Sequence, residues 1–169
     1  MVVGTEVEVL RQVTIAMLLG FAVGIEREIR GKPAGMRTYT LLTGAACMFT
    51  ILGFMVVETF GRNYSHLIFN ADPTRIIHAI IVGISFLGAG LIITGKDNKV
   101  QNLTTAAGVL IMATVGIAVG LNHIFLALGI TALVVFINSG ILFVEQKILG
   151  THIGKKKTKK KAKNKILFG

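Results

Sequence analysis

Polar and apolar positions along this 169-residue chain fall into long uncharged runs separated by short charged clusters. A helix needs about 20 mostly apolar residues to cross roughly 30 Å of hydrocarbon. Between Arg37 and Glu58 lie 20 uncharged residues, between Arg75 and Lys96 another 20, and between Lys99 and Glu145 a stretch of 45. The last is too long for one span and right for two, with Asn122-His123 as its most polar break and the predicted turn. Only 14 uncharged residues separate Arg11 from Glu26, so a span there must tolerate Arg11 and Gln12 near one end, with Arg11 snorkelling outward. The pattern predicts an all-α polytopic membrane protein with about five transmembrane helices, at about 7–25, 39–57, 76–94, 103–121 and 124–144. They form a transmembrane domain over residues 1–150, followed by a polybasic tail over 151–169. A cleaved signal peptide is not expected, because the first ten residues carry Glu6 and Glu8 and no basic segment.

Composition agrees with this reading: 15% of residues are charged, where an ordinary soluble domain has about 25%. The net charge of +10 would suggest nucleic acid if it were spread over a folded surface, but eight lysines lie between Lys155 and Lys165. The rest of the chain carries only +2 once those eight are taken away. Such a juxtamembrane segment suits anionic lipid rather than nucleic acid, at about 1 kcal/mol per lysine near the surface. Sorted by side, the first loop holds Arg27, Arg30, Lys32 and Arg37, the third Lys96 and Lys99, and the C-terminal segment Lys147 and the tail. The other side holds Arg11, Arg62 and Arg75, so the positive-inside rule places the N-terminus outside and the C-terminus in the cytoplasm. A lone Cys47 excludes an intrachain disulfide framework.

Lipid offers no hydrophobic drive for helix association, so close backbone approach must supply contact. Gly20 and Gly24 in the first span, and Gly116 and Gly120 in the fourth, each stand four apart on one helical face, and the third span adds Gly83, Gly88 and Gly90. These predict internal packing, with an oligomer contact or a substrate path as the alternatives. Thr104, Thr105, Thr114, Thr131, Asn138 and Ser139 are able to satisfy carbonyls or cross-link helices, and equally to line a path.

The densest chemistry lies in the first loop, Gly24-Ile-Glu-Arg-Glu-Ile-Arg-Gly-Lys-Pro-Ala-Gly-Met-Arg-Thr38. Cations are favoured where a helix leaves the membrane at its carboxyl end, and Glu26 and Arg30 are spaced i, i+4 for an ion pair. Gly31 and Pro33 are expected to stop the first helix, and Gly35 to supply the backbone geometry before Arg37 and Thr38 start the next. A positive-inside anchor is the plain reading. Two acids and three arginines around glycines and a proline are more than an anchor requires, and guanidinium groups suit bidentate carboxylate or phosphate contacts.

Gly24-Ile-Glu-Arg-Glu followed by Arg30-Gly-Lys-Pro-Ala-Gly-Met-Arg-Thr38 resembles the signature of the MgtC/SapB family of bacterial inner-membrane proteins. Asp72-Pro-Thr-Arg75 leading to Phe86-Leu-Gly-Ala-Gly90, and Leu103-Thr-Thr-Ala-Ala107, occur in that family in the same order and similar spacing. The likeness covers about residues 10 to 121. It implies a polytopic protein supporting growth in low magnesium, in some members tied to virulence or acid tolerance, and acting as a magnesium transporter or its accessory. Some members are described as regulators of other membrane proteins, including the F-type ATP synthase, and some carry a soluble C-terminal domain where this chain has its lysine tail. Gln101-Asn102 stand where the family often has Arg-Gly, Leu110 where it often has Trp, and Ser85 where it often has Gly.

On chemistry alone, Mg²⁺ asks for octahedral oxygen ligands, usually one or two carboxylates plus retained waters. No acid occupies the middle of any predicted span; Glu26 falls at the cytoplasmic face and is the one candidate ligand there, while Asp72 falls at the outer face. Asp72 before Pro73 and Thr74 also reads as a helix cap. His78 and His123 are too dispersed for a metal cluster. There is no nucleophile elbow, catalytic carboxylate pair or nucleotide loop, so neither an enzyme nor a resident cofactor is expected, and Mg²⁺ enters only as ligand or substrate. Two functions remain open. In one, the glycine faces and the arginine loop dock on a partner membrane protein; in the other, an oligomer forms a cation path through the third and fourth spans, gated by Glu26.

Overall fold

The computed structural model describes residues 5–63, 72, 74–94 and 100–140. The helices are α1 (Glu6–Ile29), α2 (Met36–Asn63), α3 (Thr74–Leu91), α4 (Leu103–Gly120) and α5 (Ile124–Gly140). Two short strands, β1 (Ile93–Thr94) and β2 (Val100–Gln101), pair antiparallel between α3 and α4, with Ile93 opposite Gln101 and Thr94 opposite Val100. The chain divides into two compact units, Met1–Ala132 and Leu133–Gly169. Within the second, the described residues are the end of α5, where Leu133, Phe136 and Ile137 are exposed.

Helix ends follow from local chemistry. After Ile29 the Gly31 N–H donates to the Glu28 carbonyl at 2.9 Å and the Lys32 N–H to the Arg27 carbonyl at 3.1 Å. Gly31 takes φ +61° to allow this, the left-handed cap that glycine adopts without penalty. The same motif ends α4: Asn122, at φ +64°, donates to the Val119 carbonyl and His123 to the Ala118 carbonyl, both at 2.8 Å. The turn predicted from polarity at Asn122-His123 is thus a cap that Asn is among the few residues able to supply. The predicted spans 7–25 and 39–57 are the apolar centres of longer helices.

The third helix stops at Leu91, short of the predicted 94. Ile93 and Thr94 instead spend their backbone groups on the strand pair, and the Asn102 side-chain amide donates to the Leu91 carbonyl at 3.2 Å, satisfying one of its end groups. The stretch 141–144 of the predicted fifth span, the loop lysines 96 and 99, Pro73 and the tail 151–169 lie outside the described residues.

The packing centres on one face of α2. Tyr39, Thr43, Ala46, Cys47 and Thr50 are buried there, with glycines of α1 and α4 against them. A Cβ on Gly20 would lie 2.5 Å from the Tyr39 carbonyl oxygen, and one on Gly24 2.6 Å from Met36 Cα. On the α4 side, a Cβ on Gly116 would strike the Thr43 carbonyl oxygen, and one on Gly120 would lie 2.9 Å from that of Cys47. The order of these contacts makes α1 antiparallel and α4 parallel to α2. The Thr43 and Thr50 hydroxyls turn back onto their own helix, donating to the carbonyls of Tyr39 at 2.8 Å and Ala46 at 2.7 Å, so these polar residues sit in the seam without an outside partner. Helix α3 buries Ile80, Ile84 and Gly88, the last in ordinary contact with Ala106, whereas Gly90 faces open space.

The interior is mostly apolar but admits polar side chains, while many large apolar side chains face outward. Gln12, Arg27, Thr43, Thr50 and Thr105 are inside, while Leu10, Phe86 and Phe125 are 66%, 78% and 92% exposed. Four helices, α1 to α4, are long and apolar enough to cross a membrane, and outward-facing apolar side chains suit hydrocarbon rather than water.

The seam makes a prediction. Gly116→Ala is expected to lose about 1–3 kcal/mol, because backbone rather than a flexible side chain blocks the new methyl. Gly90→Ala, beside the end of α3 where nothing meets the new methyl, is expected to change stability by less than about 0.5 kcal/mol. Unfolding titrations of both variants in mixed micelles check the contrast.

Candidate functional site

The arginine loop is held by an interior arginine. Arg27, on the last turn of α1, is 4% exposed, and its Nη2 donates to the Thr105 hydroxyl of α4 at 2.6 Å. Far along the same two helices the Gln12 amide donates to the Asn122 side-chain carbonyl at 3.3 Å, so α1 and α4 are tied near both ends. Among the described residues the Nε of Arg27 and the hydroxyls of Tyr39 and Thr40 are buried without hydrogen-bond partners. Buried polar groups in that state are costly, and the Tyr39 hydroxyl lies against α4 at Gly108. Gly108 makes room there: a side chain at that position would strike the Tyr39 hydroxyl.

Around this anchor the loop is tied on itself. Arg30 Nη1 lies 2.6 Å from Glu26 Oε1, the i, i+4 pair expected from the spacing. The Met36 N–H, at the start of α2, donates to Glu28 Oε2 at 2.8 Å, and Gly35 sits so close to that carboxylate that a Cβ would strike it. Tyr39 N–H reaches back to the Gly35 carbonyl at 3.1 Å. Lys32, Pro33, Arg37 and Thr38 are exposed as a result. The sequence pattern thus brings together Gly24, Glu26, Arg27, Arg30, Gly35 and Thr105, with Pro33, Arg37 and Thr38 on the rim. Thr104, next to Thr105, is exposed. Gly20, Gly116 and Gly120 lie deeper, in the α2 seam, and Gly88 lies at the α3–α4 contact.

Glu28, Tyr39 and Gly108 belong to the site without having been singled out. Glu28 carried a signal: α2 starts at Met36 behind a glycine, with no Ser, Thr, Asp or Asn to cap it, so an acid from elsewhere must answer its free amides. Asn102 takes φ +64°, a left-handed backbone region that Asn tolerates.

Asp72 and Arg75 sit apart, at the start of α3. The Thr74 hydroxyl and N–H donate to Asp72 Oδ1 at 2.6 and 2.9 Å. These bonds hold the carboxyl below its ordinary range, with the positive charges of Arg75 and His78 acting in the same direction. Among the described residues no three His, Cys, Asp or Glu side chains gather to hold a metal ion.

Fold and site together define a multi-pass helical membrane protein with a tied, arginine-bearing loop. The chain belongs to the MgtC family: the model described as "MgtC family" matches residues 13–147. It is 35% identical over 124 residues to Protein MgtC of Brucella abortus strain 2308, covering 73% of this chain and 47% of that protein. It is 34% identical over 113 residues to Protein SapB of Bacillus subtilis strain 168, covering 67% and 47%. Over 116 residues it is also 34% identical to a protein of Escherichia coli K12 named "Putative magnesium transporter YhiD", covering 66% and 50%. The chain spans about half the length of the curated relatives it matches. No solved structure matches it.

Two outcomes follow from the site. Thr105→Val, which leaves the buried guanidinium without its hydroxyl, is expected to cost about 1.5–3 kcal/mol, and Thr104→Val close to nothing, by unfolding titration in micelles. The Asp72 cap has a lowered folded-state pKa, so its contribution is present above the ordinary carboxylate value of about 3.9 and is lost as pH falls through the folded one. Amide exchange at Thr74–Ile77 should quicken below about pH 4 after correction for intrinsic rates, and Asp72→Ala should abolish that pH step.

Proposed function

We propose that this protein serves magnesium homeostasis in the bacterial inner membrane, by docking its arginine loop on another membrane protein and regulating or assisting it. The observation that carries the reading is the construction of the loop. Arg27 ties α1 to α4 beneath it, Glu28 caps α2 beside it, Arg30 is half-buried against Glu26, and Lys32 and Arg37 are exposed in a fixed frame. A preordered cationic surface loses little entropy on docking and suits carboxylate partners. The MgtC family and the names of its members supply the magnesium context. A magnesium transporter or the F-type ATP synthase is the kind of partner meant, and Gly90, which faces open space, leaves room for a homo-oligomer.

A second reading, transport of Mg²⁺ by an oligomer of this chain, is favoured by the name of the Escherichia coli relative. In it Glu26 would stand at the mouth, where its carboxylate already faces Arg30. Neither reading calls for enzymatic activity or a resident cofactor.

Co-purification from cells grown in low magnesium tests the first reading. Arg30→Ala combined with Lys32→Ala is expected to cut recovery of the partner at least tenfold while the protein stays folded and inserted; unchanged recovery contradicts docking through the loop. Mg²⁺ flux into liposomes holding only the purified protein, above that of empty vesicles and lost in Glu26→Gln, would instead support transport.

A further inference from the structure

Helices α2 and α3 touch at one end and part towards the other. At Gly53 a Cβ would lie 2.5 Å from Ile76, whereas Gly83, two turns further along α3, meets nothing within 4 Å. Between them runs a groove of about 1090 Å³, open at the side, whose lining is apolar throughout except for Arg37 and Thr38 at the wide end and Arg75 at the pinched end. From Arg37 to Gly53 it extends about 24 Å along α2 at 1.5 Å per residue, more than the roughly 15 Å of hydrocarbon in one leaflet.

Arg37 stands at the wide mouth, exposed, and forms no ion pair among the described residues. It occupies the first turn of α2, where the helix dipole disfavours a cation and favours an anion. Glu28 is committed to the Met36 amide at that helix end. An arginine in this position, above an apolar trough as deep as a leaflet, is matched in charge and shape by a phosphate carrying an acyl chain. A wholly apolar helix from another protein would fill the trough but would leave Arg37 without an anion.

We propose that the α2–α3 groove seats one phospholipid of the leaflet on the loop side, with an acyl chain along Phe49 and Leu87 and its phosphate on Arg37. The lipid completes the wall that α2 and α3 leave open. The groove shares Arg37 with the rim of the loop described above, but docking is tested through Arg30 and Lys32 and lipid binding through Arg37 and Gly83, so either can fail without the other.

Native mass spectrometry of the full-length, delipidated protein in detergent, titrated with phosphatidylglycerol, tests the proposal. Wild type is expected to retain one lipid through gas-phase activation. Arg37→Gln should bind about tenfold more weakly, and Arg75→Gln, at the pinched end, should bind as wild type. Gly83→Leu should lose the lipid, because the new side chain enters groove space that none of the described residues occupies. Diacylglycerol, which lacks the phosphate, should be retained poorly and equally by wild type and Arg37→Gln. Far-UV circular dichroism confirms that each variant keeps its helices. Equal phosphatidylglycerol retention in wild type, Arg37→Gln and Gly83→Leu overturns the proposal. So does a dimer that persists with lipid in excess and dissociates in Gly83→Leu, since a second copy would then occupy the groove.

Discussion

Everything in this structure rests on how closely three helix backbones approach one another at the buried face of α2. In hydrocarbon there is no gain from merely bringing apolar side chains together, so contact must come from dispersion at short range and from polar groups satisfied within the protein. Glycines of α1 and α4 permit that approach on both sides of Tyr39 and Thr43, and the seam threonines answer their own helix carbonyls. A methyl group at Gly20 or Gly116 would meet backbone oxygen, which cannot swing away as a side-chain tip does.

That approach brings Arg27 within reach of Thr105, and the buried guanidinium links packing to function. A charge removed from solvent is expensive unless its protons are answered, and Arg27 answers one through Thr105 while its Nε is buried without a partner. With it in place the end of α1, the loop and the start of α2 form one body: the cap at Gly31 turns the chain, Glu28 holds the Met36 amide, and the remaining basic residues are displayed outward. The loop is ordered by its own short-range bonds. Its orientation comes from the seam beneath.

Much of this was legible in the residues because membrane spans have few degrees of freedom. Uncharged run lengths located the helices, and the spacing of Gly20 with Gly24 and of Gly116 with Gly120 marked faces that the structure packs against α2. Glycine spacing alone could not separate these from Gly90, which faces open space, since the pattern shows which residues share a face and not what lies opposite. The early end of α3 was hidden because Ile92, Ile93 and Thr94 are as apolar as the helix before them; a strand pairing and the Asn102 amide, both non-local, decide it. The buried state of Arg27 was equally hidden, since it depends on a hydroxyl 78 residues away. The orphan amides of α2 did point to Glu28, to a reader asking where they are satisfied.

The chain belongs to the MgtC family, and the function proposed above rests on a rigid loop oriented by the helix seam. The most direct test joins structure and activity in one variant. Gly24→Ala puts a methyl against Met36 Cα, disturbing the base of the loop without touching any of its charges. Hydrogen exchange at the Gly31, Lys32 and Met36 amides should be measured in the same membranes used for growth in low magnesium. Faster exchange at all three amides is expected together with loss of growth support. Loss of growth support with those amides as protected as in wild type would contradict it.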